Sequence, residues 1–178
     1  MNRILQAWVW IRRLAHCRGF GIQSPSDYRF ERNVINEHWP YYAYETLGIK
    51  DDWRRRKLGQ LYFRMANYLQ PSVVIDLVGV EDYLRKACPK ARLLSHSDHL
   101  HDGERLDMAV VPIQTEFQQL FGLCHNNSVV VFENIYQQAA LWHCIEHSPM
   151  TTVTFDLYYC GIAFFDKNRS KKNYIVNF

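Results

Sequence analysis

The sequence predicts an α/β domain: a mostly parallel sheet covered by helices on both faces, closed by an antiparallel C-terminal strand pair and preceded by an N-terminal helical extension. Three observations carry this. From residue 73 onward, strand-like runs alternate with helical segments, the pattern of parallel strands joined by helical crossovers. Residues 73–77, 106–111 and 128–132 are almost wholly apolar rather than alternating, as strands buried on both faces are. Near the end, residues 151–157 and 162–165 lie too close together for a crossover, so they are expected to pair antiparallel.

Composition bounds the class. At 178 residues the chain suits one domain with its own core. Apolar residues make up 48% and aromatics 15%, which argues against disorder. No run approaches the roughly 18 uninterrupted apolar residues of a membrane span. The start carries Arg3, Arg12 and Arg13 without a small-residue cleavage site, so the expectation is a cytoplasmic protein with no membrane partner. Five cysteines, odd in number and without a CxxC pair, suggest neither a disulfide framework nor a zinc knuckle. A formal charge of +3 does not demand nucleic acid.

In order along the chain, Ile4, Leu5, Trp8, Ile11 and Ala15 fall at helical spacing and predict a short amphipathic helix over 3–15, its arginines available to solvent or an acidic partner. After Gly19-Phe20-Gly21, Ser24 stands as N-cap before Pro25, with Asp27 in the first turn, which starts a second helix running to about Glu37. The aromatic stretch around Trp39, Tyr41, Tyr42 and Tyr44 reads as a packed loop. A third helix starts at Asp51, places Leu58, Leu61, Tyr62, Met65 and Leu69 on one face, and stops before Pro71. Its first turns carry Arg54, Arg55, Arg56 and Lys57, where cations oppose the helix dipole, so this run does not serve helix stability. It reads as a solvated face, with a nucleic-acid patch as the competing use.

The remainder supplies strands at 73–77, 91–95, 106–111 and 128–132, with helices at 81–87, 116–124 and 136–146 between and after them. Residues 173–178 are expected to add a last strand. Residues 1–70 thus form the helical extension, packed on a core of 71–178, in one structural domain overall.

Three stretches resemble a bacterial family of Rossmann-like S-adenosylmethionine-dependent methyltransferases: GFGIQSPSDYRFERNVI with YYAYETL near the N-terminus, NNSVVVFENI, and TVTFDLYYCGIAFFDKN. Together they account for 51 of the 178 residues and follow the family's order. The resemblance implies a Rossmann-like sheet of the methyltransferase type. It also implies a cofactor site at the acid and glycine-rich turn after the first strand and at an acid after the second.

The departures are informative. The first-strand segment reads VVIDLVGVEDYL. Asp76 keeps the acid and Gly79 is the one glycine, whereas Val78 and Val80 stand where small residues are expected and would crowd the cofactor. Asp98 is the candidate for the second acid. Only about ten residues, 97–105, join the second run to the next, fewer than a helical crossover takes, although extended they reach about 35 Å. The family's third strand and its helix are therefore expected to be missing. Val111, Pro112 and Ile113 leave no metal ligand or base after the next strand, and Glu133 and Asn134 offer a polar rim after the one following.

Asp76, Gly79 and Asp98 thus read as a vestigial cofactor site, with no catalytic residue and no resident cofactor expected. A methyltransferase-like protein acting through a partner or a homodimer surface is the leading reading. An active enzyme that holds S-adenosylmethionine on those three residues, with an unidentified acceptor, is the alternative. The linker's His96, Asp98, His99, His101 and Asp102 are metal-ligand types but read as a solvated turn, with no metal expected. No serine or cysteine sits in a glycine-flanked elbow, which disfavours a hydrolase. The tyrosines read as core packing, with a nucleobase or methyl-acceptor pocket as the competing use.

Overall fold

The structure, a computed structural model, describes residues 3–96, 100 and 103–178. Helix α1 (Arg3–Arg12) is followed by a short 3-10 turn and then α2 (Pro25–Phe30), which starts where Ser24 Oγ accepts the Asp27 N–H. Instead of continuing as an α-helix to Glu37, the chain widens into a π-helical turn over Glu31–Ile35. A group distant in sequence stabilises this turn. The buried guanidinium of Arg64 donates to the Val34 carbonyl at 2.6 Å and the Ile35 carbonyl at 2.9 Å, and also to Tyr44 Oη at 3.2 Å.

The predicted apolar face of α1 is not the docked one. Trp8 and Ile11 are exposed, whereas Val9 is buried. Arg13, just past the helix end, sets this rotation: it pairs with Asp156 at 2.8 Å and also donates to the Asp156 and Val176 carbonyls. Arg13 has therefore found the acidic partner that the sequence left open.

Helix α3 (Trp53–Leu69) begins where the Asp52 carboxylate caps the Arg55 N–H at 2.8 Å. Strand β1 (Val73–Asp76), helix α4 (Glu81–Ala87) and β2 (Arg92–Leu94) come next. They are followed by β3 (Leu106–Pro112), α5 (Phe117–Gly122), β4 (Cys124–Glu133) and α6 (Ala139–His147). Three short strands close the chain: β5 (Val153–Asp156), β6 (Cys160–Phe164) and β7 (Lys172–Ile175).

The sheet order is β2-β1-β3-β4-β6-β5-β7. Strands β2, β1, β3 and β4 run parallel, with Ile75 beside Ala109 and Ala109 beside Val130; β6 is antiparallel to β5, as expected, and also to β4. The last strand, β7, pairs parallel with β5 at the far edge. At the opposite edge lies β2. Among the described residues no strand or helix intervenes between β2 and β3, in accord with a missing third strand and helix.

Alternate residues of the central strands divide between two cores. Val74, Met108, Val110, Val129 and Val131 face α2, α3 and α4, while Ile75, Ala109, Val111, Val130 and Phe132 face α5 and α6. Helix α3 lies close against α4 because Gly59 has no side chain: a Cβ there would meet the Tyr83 ring at 2.4 Å. Tyr83 Oη in turn donates to Asp51 at 2.7 Å. This packing sets the N-terminal turns of α3 over the C-terminal edge of the parallel strands, the edge at which open α/β sheets bind ligands.

Candidate functional site

At that edge β1 ends in Asp76. Its carboxylate accepts the N–H groups of Val78 at 3.0 Å, Gly79 at 2.8 Å and Val80 at 2.6 Å. These donors lead into α4 and would otherwise be available to an anion. Gly79 has φ +74°, left-handed backbone that glycine adopts without strain, so the one glycine kept in the loop has a conformational reason. Val80 is buried and Val78 half-buried against the core on the α3 side of the sheet.

Arg55 closes the loop from above. Its Nη2 donates to the Val78 carbonyl at 2.9 Å and also to the Gly79 carbonyl. The loop therefore has its amides held by Asp76 and two of its carbonyls held by Arg55, with no ligand required for either. Beside it lies a cleft of about 460 Å³ lined by Asp76, Gly79, Glu81, Asp82, Arg85 and the end of β2. Arg85 pairs with Glu81 on the same helix, so the cleft is acidic in balance.

The rest of the arginine run is engaged as well, which corrects its reading as a solvated face. Arg54 donates to the Asn134 side chain and to Tyr136 Oη at 3.0 Å. Arg56 donates to the Gly48 and Ile49 carbonyls. Lys57 Nζ lies 4.3 Å from the Phe178 ring centroid and 5.3 Å from that of Trp53. Burial, and behind it the charge of Arg64, brings Lys57 down to about 8.

At the end of β4, Glu133 is buried and accepts the Tyr62 hydroxyl at 2.8 Å. Burial pushes the Tyr62 phenol up, as it does the neighbouring Cys160 thiol, and the Glu133 carboxylate adds to both. Tyr62 is thus a hydrogen-bond donor here, and Cys160 is an inert thiol. Asn134, at φ +64°, carries the Arg54 bond. The polar rim expected of Glu133 and Asn134 exists, but its groups are directed at protein. At the end of β3, Val111 and Ile113 are fully buried and bring no acid or ligand to the edge.

Of the three sequence-predicted site residues, Asp76 and Gly79 share the loop just described, and Asp98 lies outside the described residues. His99, His101 and Asp102 of the metal-type linker lie outside them too, and among the described residues no group of three potential ligands converges. Arg54, Arg55, Tyr62 and Tyr136 complete the edge; the sequence read the two arginines as a solvated face, with a nucleic-acid patch as the competing use, and did not single out Tyr62 or Tyr136 as site residues. The signal for the arginines was their placement against the helix dipole.

The sheet order and strand directions define a Rossmann-like α/β fold of the methyltransferase type, a mostly parallel sheet whose last strands close it antiparallel. No family model matches the sequence, and no curated protein matches it. Among solved structures it is similar in fold to a methyltransferase from Geobacter sulfurreducens, at a TM-score of 0.52 and 12% identity over 94% of this chain and 98% of that one. No helix among the described residues is long and apolar enough to cross a membrane.

Proposed function

We propose that this chain is a methyltransferase-like protein that has given up S-adenosylmethionine binding and catalysis and acts through a binding surface. One observation carries the reading: the β1–α4 loop is saturated from within. Asp76 takes three loop amides and Arg55 takes two loop carbonyls, so a cofactor would have to displace both. The residues at this edge do not suit the cofactor. A calorimetric titration with S-adenosylmethionine and S-adenosylhomocysteine tests this. No heat beyond dilution up to millimolar ligand is expected, and micromolar binding of either compound would establish the active-enzyme alternative instead.

A further inference from the structure

A second concavity lies beyond Arg54, outside the β1–α4 cleft. It is a groove of about 640 Å³ between α1, the first turns of α3 and the chain's last residues. Its volume falls within the range of small-molecule sites, roughly 300–1,000 Å³. The walls are mainly aromatic: Trp10, Trp53, Tyr158, Tyr159 and Phe178. Among the described residues its charged side chains are Arg13 and Lys57, and no acidic side chain lines it.

The two cations differ in what they have left to give. Arg13 is neutralised by Asp156 at 2.8 Å and spends further donors on two carbonyls. Lys57 forms no ion pair among the described residues; its neighbours are the faces of Trp53 and Phe178. An ammonium drawn partly out of water, beside the repelling charge of Arg64 and with only ring faces for company, has the desolvation cost of a buried cation without the matching anion. An anion delivered on a flat apolar body would satisfy the charge and the rings together.

We infer that this groove binds a small planar aromatic acid, its ring system between the aromatic walls and its carboxylate on Lys57. This proposal is independent of the cofactor question, since it uses neither Asp76 nor the β1–α4 loop. The probes are 2-naphthoate and its neutral counterpart 2-naphthamide, which share one ring system and differ in charge. Binding is read at pH 7 by quenching of tryptophan fluorescence, which reports on Trp10 and Trp53 in the groove, and by calorimetry. Naphthoate should bind at least tenfold more tightly than naphthamide. Lys57→Gln should bring the two within about twofold of each other while naphthamide affinity holds, and Lys57→Arg should restore part of the difference. Equal binding of the two probes by the unaltered protein, or no binding of either, overturns the inference without recourse to any variant. A naphthoate preference that survives in folded Lys57→Gln overturns it as well.

Discussion

Replacing Asp76 by alanine separates a loop held for a ligand from a loop held for itself. A side chain kept at a site for function commonly costs stability, and its removal then leaves the fold unchanged or firmer. The structure gives Asp76 a different account. Its carboxylate accepts three backbone N–H groups at 2.6–3.0 Å in a loop whose middle residue is left-handed. A hydrogen bond to a charged group contributes about 1.5–3 kcal/mol, but none of the three is fully buried, so at a discounted ~1 kcal/mol each they should amount together to about 2–3 kcal/mol. With a urea slope of about 2 kcal/mol/M, Asp76→Ala should lower the unfolding midpoint by about 1 M. Asp76→Asn keeps an acceptor oxygen without the charge and should lose about half as much. The assay is equilibrium urea unfolding followed by tryptophan fluorescence and circular dichroism together. An unchanged or raised midpoint for Asp76→Ala would refute the view that this carboxylate is committed to the loop.

Two further substitutions test the supports of the edge. Arg64→Met strips the donors from the Val34 and Ile35 carbonyls and should cost about 2–4 kcal/mol, with hydrogen exchange accelerating first in Glu31–Ile35. Protection there equal to that of the unaltered protein would show that the π-helical turn stands without Arg64. Tyr62→Phe removes the hydroxyl that Glu133 accepts at 2.8 Å in a buried setting and should cost about 1–2 kcal/mol in chemical denaturation. A change within measurement error would mean that Glu133 is satisfied elsewhere.

The central sheet was legible because burial on both faces leaves strands such as 73–77 and 106–111 no reason to alternate, and the close spacing of β5 and β6 fixes their direction. The start of α2 was legible because Ser24 acts within three residues of itself. What escaped depends on partners distant in the chain. The π-helical turn after α2 is stabilised by Arg64, about 30 residues on, and nothing between Glu31 and Ile35 announces it. Helix α1 presents Val9 rather than Trp8 and Ile11 to the body because Arg13 reaches Asp156, which helical spacing does not encode. At the site, Asp76 and Gly79 could be placed from the sequence, but resemblance assigned their polar atoms to a cofactor whereas the structure assigns them to the loop. Arg54 and Arg55 lacked assigned partners for the same reason: Asn134 and Gly79 are remote in the chain, and only the fold brings them together.

Cations in the first turn of a helix lose about 0.3–1 kcal/mol each against the dipole. Helix α3 nevertheless carries arginines there because its N-terminus stands over the edge where the loops after β1 and β4 turn outward, presenting carbonyls and side-chain oxygens rather than amides. Arg55 meets the Val78 and Gly79 carbonyls and Arg54 meets Asn134 and Tyr136, so the field that disfavours them along the helix axis is offset by acceptors across the gap. With Asp76 consuming the amides of the same loop, donors and acceptors are matched without a ligand. On the function proposed above, a ligand entering there would exchange satisfied hydrogen bonds for new ones and gain little. Lys57, in the groove proposed as a binding site, presents the opposite balance: among the described residues it has the ring faces of Trp53 and Phe178 beside it and no ion pair.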